Sequence, residues 1–251
     1  MRVIILAAGK GERLMPLTNN TPKSLLELAN GRSVLESQLL SIHEVGIREV
    51  AIVTGYLTEQ IEAKINKYSN EYGIKFQIIF NPFYDISNNL ISLWHAKHYM
   101  EEDFIIINGD DIFKDSVIKG LINQEISQQL CMVIDRKNSY DQDDMKLIIE
   151  KDNILKIGKE LPKKEVNGES IGMIRVVGNG KRWVVNTMEK MIRQKKNMNV
   201  FYLEMFQELI NQGTSIGYYE VEAMDWAEID FHPDLEDIRK KIFMFDKEWL
   251  S

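Results

Sequence analysis

The chain has 251 residues, of which 44% are hydrophobic and 27% are charged. These proportions are ordinary for a globular protein, and they argue against a disordered or fibrous chain. The formal net charge of −7 makes a nucleic acid or an anionic membrane surface an unexpected partner. An anionic ligand would therefore have to be held by a local cluster of basic residues.

The start of the chain could be mistaken for a secretion signal. The apolar run before Lys10 is shorter than the core of a signal peptide, so we interpret residues 3–6 as a buried strand. The sequence has no apolar segment long enough to span a membrane. The single cysteine, Cys131, fits a reducing compartment. We expect a cytoplasmic protein with no membrane partner.

The first part of the chain alternates between predicted strands and predicted helices. Buried strands are predicted in RVIIL, EVAIVTG and DFIIINGDD, a further strand in KFQIIFN, and helices in SVLESQLLSIHEVG, TEQIEAKINKY and NNLISLWHAKHYM. Ser33 and Glu36 form a capping box for the first helix, and Gly46 is placed to end it. This alternation predicts a parallel sheet with helices on both faces and ligands at the carboxyl ends of the strands.

The pattern changes after about residue 130. Strands are predicted in CMVIDR, MKLIIEKDNILKIGK, ESIGMIRVV and SIGYYEVE, with a helical region at about 180–212 and a closing helix in PDLEDIRKKIFMF. No linker, low-complexity tract or repeat divides the sequence. We therefore predict a single α/β Rossmann-like domain over residues 1–251, with a mixed, mainly parallel central sheet flanked by helices.

The stretch LAAGKGERLMPLTNNTPKSLLEL combines glycine and positive charge directly after the first strand. Gly9 and Gly11 allow positive φ angles and let backbone amides approach an oxyanion closely. Arg13 can grip phosphate oxygens with two hydrogen bonds, and Lys23 supplies a flexible charge. The spacing does not fit a Walker loop, and Leu14 stands where a dinucleotide fingerprint needs a third glycine. The stretch therefore predicts a site for a nucleoside triphosphate.

The same stretch resembles the signature of the nucleotidyltransferases that join a nucleoside monophosphate to a phosphorylated small molecule. Their pattern is roughly Leu-Ala-Ala-Gly-x-Gly-x-Arg-Leu followed by Pro-Lys, and NGDDIF and WAEIDF extend the resemblance along the chain. The segments NPFYDISNNLISLWHA, GESIGMI and WAEIDFHPDLEDIRKKI are most similar to the phosphocholine cytidylyltransferase branch. The sugar-1-phosphate branch normally has Gly-Leu-Ala where this chain has Asn88-Asn89-Leu90, which favours the cytidylyltransferase branch.

The resemblance implies a fold of the nucleotide-diphospho-sugar transferase type with a Mg²⁺ site. Asp110 and Asp230 resemble the metal-binding aspartates of the family, and strand alternation points the neighbouring Asp111 the other way. With Arg13 and Lys23 they form the predicted catalytic set. The predicted nucleotide-binding residues are Leu6, Ala7, Ala8, Gly9, Gly11, Arg13, Lys23, Asn81, Asn88, Asn89 and Asp110. The three asparagines would read the base through their amides, although turn formation is the rival explanation.

The acceptor substrate is expected to bind in the second half of the chain. The resemblance implies a lysine for its phosphate, for which Lys146 and Lys159 are the candidates, and an acceptor-binding acid at Glu169. A quaternary ammonium group needs an aromatic cage or nearby carboxylates. The candidates for this role are Tyr202, Glu204, Trp226 and Glu228, the last of which could instead assist the metal. We thus expect a nucleotide-binding half at 1–125 and an acceptor-binding half at 126–251.

The first hypothesis is a Mg²⁺-dependent cytidylyltransferase. It would transfer CMP from CTP to phosphocholine or a related phosphonate and release pyrophosphate, with no nucleic acid as a partner. A sugar-1-phosphate nucleotidylyltransferase is the alternative, and a non-catalytic nucleotide-binding regulatory domain is the further alternative. A sensor could do without metal ligands, so the catalytic set speaks against the last of these. The sequence leaves a homo-oligomer open.

Overall fold

A computed structural model describes residues 1–125, 127–230 and 236. The strands are β1 (Arg2–Ala7), β2 (Glu49–Thr54), β3 (Lys75–Phe80), β4 (Phe104–Asn108), β5 (Asp111–Phe113), β6 (Leu130–Asp135), β7 (Lys146–Glu150), β8 (Asn153–Gly158), β9 (Gly168–Val176), β10 (Gly217–Glu220) and β11 (Trp226–Glu228). The α-helices are α1 (Val34–Glu44), α2 (Thr58–Tyr72), α3 (Asn89–His95), α4 (Asp115–Asn123), α5 (Gly180–Ile192) and α6 (Tyr202–Asn211). Within the described ranges, no helix is both long and apolar enough to cross a bilayer.

The central sheet has nine strands. Its main path runs β10-β6-β9-β4-β1-β2-β3, and β7 pairs with β9 and β8 beside this path. Strand β9 is antiparallel to both of its neighbours on the path, β4 and β6, whereas the remaining pairs on the path are parallel. The predicted mixed, mainly parallel α/β sheet is therefore confirmed.

Helices cover both faces of the sheet because successive strand residues face opposite sides. On β1, Val3 and Ile5 pack into a core that also contains side chains of α1, α2 and α4. Ile4, between them, packs into the other core with side chains of α3, α5 and α6. All three strand residues are fully buried. This two-sided burial explains the long apolar runs of β1, β2 and β4, whereas β3, at the end of the main strand path, has no buried residue.

Several predicted elements appear as the sequence indicates. Helix α1 begins with the predicted cap, because the Ser33 hydroxyl accepts a hydrogen bond from the Glu36 amide at 3.2 Å. Gly46 follows its end with a φ of 79°. The predicted helical region at 180–212 is two helices, α5 and α6, separated by the 3₁₀ turn Lys195–Asn199. The predicted closing helix falls, apart from residue 236, outside the described residues.

The sequence analysis missed β5, α4 and β11. Strands β5 and β11 have three residues each and pair with one another in a small antiparallel sheet. A strand this short shows too few residues for its alternation to be recognised. This missed pairing matters for function, because it brings the segment around residue 230 back to the end of β4.

Replacing Ser33 with alanine should lower the free energy of unfolding by about 1 kcal/mol, since the Glu36 amide loses its capping acceptor. Chemical denaturation would measure the change. Ser215→Ala, at an exposed position before β10, is the matched control and should leave stability unchanged. Equal effects of the two substitutions would contradict a capping role.

Candidate active site

The glycine-rich loop follows β1 at the carboxyl edge of the parallel strands. Gly11 has a φ of 64°, in the left-handed region, and an added Cβ would lie 3.2 Å from the Cβ of Lys23. Gly9 lies outside that region, and nothing stands within 4 Å of the position its Cβ would take. Gly11 therefore shapes the loop, while Gly9 leaves open space beside the backbone in which a phosphate fits.

Three carboxylates converge at this edge, from Asp110, Glu228 and Asp230, with one oxygen of each lying within 4.8 Å of the others. Asp110 follows β4. The antiparallel ladder that β11 forms with β5 brings Glu228 and Asp230, which are distant in sequence, next to it. The Ile229 amide extends this ladder with a 3.1 Å hydrogen bond to the Asp110 carbonyl. Asp111 is buried and does not line the cavity that Asp110 lines.

Lys23 lies between two of these carboxylates. Its Nζ donates to Asp110 Oδ2 at 2.7 Å and to Asp230 Oδ1 at 2.9 Å. Arg13 Nη1 donates to the other oxygen of Asp230 at 2.8 Å. The predicted catalytic set, drawn from both ends of the sequence, is thus one network of charges.

The charges in this network shift one another's protonation. Burial lowers the pKa of Lys23, but the charges of Asp110 and Asp230 outweigh it and leave the pKa above its ordinary value. The pKa of Glu228 is raised to about 8, because the cavity walls displace water and the two aspartates repel its charge. The pKa of Asp111 is also raised, by its burial and by Asp110 and Glu228. A site that accumulates this much negative charge favours a cation.

A divalent cation fits the cluster. Hard cations such as Mg²⁺ take carboxylate oxygens as ligands, and Asp110, Glu228 and Asp230 offer oxygens close enough to share one ion. The ammonium of Lys23 already bridges two of these residues, which shows that a cation is accepted at this position. These three residues are the ones that would hold the metal.

The cluster opens into a cavity of about 990 Å³ whose walls come from both halves of the chain. The cavity contains many of the predicted site residues, namely Leu6, Ala8, Gly9, Arg13, Asn88, Asn89, Asp110, Lys159, Glu169, Tyr202, Trp226, Glu228 and Asp230. Gly11 and Lys23 line an adjoining pocket of about 300 Å³, which shares Arg13 and Asp230 with the cavity. The glycine loop, the carboxylate cluster and most of the predicted acceptor residues therefore face connected space.

Four predicted site residues lie elsewhere. Ala7 is a buried residue of β1, and Asn81 is fully buried with its amide hydrogen-bonded to Ser92 Oγ and the Phe83 amide. Glu204 is exposed and is absent from the lining of the cavity. Lys146 is buried behind the wall, where its Nζ donates to backbone carbonyls at 2.9–3.3 Å. None of these four residues lines the cavity or the adjoining pocket, so their contacts with the nucleotide or the acceptor stay predictions.

The asparagines after β3 also have structural tasks. The Asn88 side chain accepts from the Asn89 amide at 2.7 Å and caps α3. The Asn89 side chain accepts from the Tyr202 amide at 2.7 Å and holds α6 against α3. Each amide oxygen thus helps to hold the cavity wall in place. The hydroxyl of the buried Tyr202 donates to the Gly172 carbonyl at 3.3 Å, so this ring belongs to the cavity floor.

The acceptor half adds two residues that the sequence analysis missed, Lys137 and Asp135. Lys137 Nζ pairs with Glu169 at 2.5 Å, and the indole of Trp226 donates to Asp135 Oδ2 at 3.0 Å. Burial raises the pKa of Glu169 to about 8, although Lys137 opposes the shift. Both missed residues lie at the end of β6, and that position was the available signal, since ligand-binding groups gather where such strands end.

Asp143 connects the two halves across the cavity. One of its oxygens lies 3.3 Å from Arg13 Nη1 and the other lies 3.6 Å from Lys159 Nζ. These side chains are partly exposed, so each pair alone contributes little to stability. Their arrangement nevertheless puts a cation from each half of the chain at the same opening of the cavity.

Comparison with known proteins agrees with this geometry. The sequence pattern of a family described as "Nucleotidyl transferase" matches residues 2–243. The chain is 29% identical over 258 residues to the CTP:phosphoglutamine cytidylyltransferase of Campylobacter jejuni, covering 94% of this chain and 98% of that one. It is 37% identical over 115 residues to the choline-phosphate cytidylyltransferase of Streptococcus pneumoniae, covering 46% and 47%.

The fold also occurs among solved structures. The inositol-1-phosphate CTP transferase from T. maritima superposes with a TM-score of 0.79 and 20% identity, covering 96% of this chain and 95% of that one. At this identity the similarity shows a shared fold. The glycine loop and the carboxylate edge of this chain therefore belong to an architecture that other proteins also have.

Replacing Lys23 with alanine should make the protein more dependent on Mg²⁺. Without the ammonium, the carboxylates of Asp110 and Asp230 repel one another, and an added ion no longer has to displace a bound charge. The variant should unfold at a lower temperature than the wild type without metal, and Mg²⁺ should raise its unfolding midpoint more than that of the wild type.

Lys97→Ala is the control for this experiment. Lys97 pairs with Glu189 at 2.6 Å, outside the cavity lining, so its loss should leave the response to Mg²⁺ unchanged. A response of the Lys23 variant no larger than that of the Lys97 variant would count against a cation site at the cluster.

Proposed function

We propose that this chain, which belongs to the nucleotidyl transferase family, transfers CMP from CTP to a small phosphorylated amine and releases pyrophosphate. The observation that carries the proposal is the convergence of the glycine loop, Arg13, Lys23 and the three-carboxylate cluster on connected cavities. A regulatory domain that only binds a nucleotide would not need this combination of metal ligands and phosphate-binding cations.

The reaction requires no protein nucleophile. A phosphate oxygen of the acceptor attacks the α-phosphorus of the nucleotide, a new P–O bond forms there, and the bond to pyrophosphate breaks. The protein must bring two anions together and offset the charge of the transition state. Arg13 and Lys23 contribute positive charge from the nucleotide side, and Lys159 contributes it from the acceptor side.

Mg²⁺ held by Asp110 and Asp230, with Glu228 beside them, would neutralise phosphate charge and orient the phosphates when bound. Lys23 then has a second task. Among the described residues, its ammonium donates hydrogen bonds to the carboxylates of Asp110 and Asp230, and phosphate oxygens are acceptors of the same type. We infer that Lys23 exchanges these carboxylates for the phosphates of the nucleotide, and that it keeps the cluster neutralised until then.

The preference for CTP is supported by the relatives. The two similar proteins are a CTP:phosphoglutamine cytidylyltransferase and a choline-phosphate cytidylyltransferase. In this chain Asn88 and Asn89 line the cavity with their amide oxygens engaged. Their amide nitrogens are donors, and cytosine offers two acceptors in its O2 and N3 atoms.

An amine-bearing acceptor is supported by the charge of the cavity. Apart from the three-carboxylate cluster, the wall contains the four aspartates Asp135, Asp141, Asp143 and Asp144 against the three cations Arg13, Lys137 and Lys159. Glu169 adds little charge near neutral pH, because burial raises its pKa to about 8. The remaining excess of negative charge attracts an ammonium group. The indole of Trp226 lies beside Asp135 and adds an aromatic surface on which a substituted ammonium could pack.

The first experiment is a measurement of pyrophosphate release with Mg²⁺. CTP, UTP, dTTP and ATP are each combined with phosphocholine, 2-aminoethylphosphonate or glucose-1-phosphate. We expect turnover with CTP and an amine-bearing acceptor, because the acceptor half of the cavity is rich in carboxylates. If glucose-1-phosphate is the only acceptor that is turned over, the result would favour the sugar-1-phosphate nucleotidylyltransferase alternative. Binding of CTP without turnover of any acceptor would favour the regulatory alternative.

Asp110→Asn should reduce kcat by about a hundredfold or more, since the amide keeps the shape of the side chain but loses a charged metal ligand. Asp115→Asn, at the exposed start of α4, makes the same chemical change outside the site. It should leave kcat unchanged. Near-normal turnover by the Asp110 variant, with its fold verified by circular dichroism, would contradict the proposed role.

A further inference from the structure

A second cavity, of about 560 Å³, lies beside the acceptor half of the first one. Its charged lining residues are all basic, namely Arg136, Lys137, Lys146 and Lys163. Polar groups from Asn138, Ser139, Tyr140 and Asn167 complete much of its wall. The chain as a whole has a net charge of −7, so a concave surface with only positive charged residues is unusual for this protein.

Carboxylates offset part of this positive charge. Arg136 Nε pairs with Glu220 at 3.0 Å, and Lys137 Nζ pairs with Glu169 at 2.5 Å. Among the described residues, neither Lys146 nor Lys163 forms an ion pair. Half of the cations in the wall therefore have no carboxylate partner within the part of the chain that the structure describes.

Of the two lysines without a carboxylate partner, Lys146 is the buried one. It is only 3% exposed, and its Nζ is held by the carbonyls of Gln142, Asp144 and Lys159. Carbonyl dipoles satisfy the donors of an ammonium group, but they do not cancel its net charge. A buried cation is costly unless an opposite charge lies nearby. The cross-strand neighbour of Lys146 is Glu169, whose carboxyl group is already paired with Lys137. An anion in the second cavity would supply that charge.

The second cavity is physically linked to the catalytic one. Lys137 lines both cavities, and its partner Glu169 lines the catalytic one. Lys146 also donates to the backbone carbonyls of Asp144 and Lys159, and these two residues line the first cavity. An anion that attracts Lys137 competes with Glu169 for the same ammonium. Binding of an anion in the second cavity would therefore weaken the Lys137–Glu169 ion pair at the wall of the first.

We propose that the second cavity binds a carboxylate or phosphate group and, through Lys137, couples this anion to binding of the acceptor. Two sources of the anion fit the geometry. It can be a further acidic group on the acceptor itself, which would then carry a phosphate, an amine and an acid, or it can be a separate small anion that acts as an effector. The coupling to the acceptor rests on the proposed function, whereas binding of the anion does not.

Lys163 is the residue to change, because it is exposed at the wall and its loss should not disturb the fold. Lys164→Gln is the matched control, since Lys164 is the next residue, is also exposed and does not line the cavity. The probes are phosphoethanolamine and O-phosphoserine, which differ by one carboxylate. Pyrophosphate release with CTP and Mg²⁺ gives kcat/KM for each acceptor.

If the acceptor carries the acid, the wild type should prefer O-phosphoserine, and Lys163→Gln should reduce the ratio of the two kcat/KM values about tenfold, as expected for one lost charge-assisted contact. Lys164→Gln should keep the wild-type ratio. If the anion is a separate effector, the ratio should be the same in all three proteins. Added citrate at constant ionic strength should then change KM for phosphoethanolamine in the wild type and in Lys164→Gln, and less in Lys163→Gln.

Thermal unfolding tests anion binding without turnover. Citrate at constant ionic strength should raise the unfolding midpoint of the wild type and of Lys164→Gln, and should raise that of Lys163→Gln less. If citrate shifts the unfolding midpoints in this way but no acceptor is turned over, the anion site is supported and the proposed function is contradicted. Identical responses of the wild type and Lys163→Gln in both the kinetic and the thermal experiments would overturn the anion site.

Discussion

The repulsion among three carboxylates at one edge of the sheet is the constraint on which the rest of the site depends. Asp110, Glu228 and Asp230 lie too close together to remain charged without a cation among them. Lys23 meets this need in the structure by bridging two of them. A site built this way is prepared for cations and for the phosphates that accompany them, because a divalent metal ion offsets more of the carboxylate charge than the ammonium that it displaces.

The topology makes this crowding possible. The parallel strands β1 and β4 end at the same edge, so the glycine loop and Asp110 are neighbours although about a hundred residues separate them. The short β5–β11 ladder then returns residues 228–230 to that edge. Strand β9, antiparallel between β4 and β6, carries Glu169 and connects the acceptor residues to the same sheet. One hydrogen-bonded framework thus holds all the charged groups in fixed relative positions.

The two cavities of the acceptor half have opposite electrostatic character. Carboxylates dominate the first cavity, basic residues dominate the second one, and Lys137 belongs to both. Under the proposed function, a molecule with only a phosphate and an amine would bind in the first cavity, and an additional acidic group would bind in the second. Separated charges of this kind select among small polar molecules by the position of each charge, which is how a binding site gains specificity without a large apolar surface.

The sequence by itself determined the α/β class, the strands β1 to β4, the cap of α1 and the family, because apolar runs, capping residues and the glycine motif are local patterns. It also picked out Arg13, Lys23, Asp110 and Asp230 as one set. Only the tertiary structure decided which candidates face the cavity. Asn81 and Lys146 are chemically suitable but buried, Glu204 faces outward, and Lys137 enters the site through the end of β6. Residue type reports what a side chain can do, whereas its direction and neighbours depend on strand pairing across long separations, which a single sequence does not display.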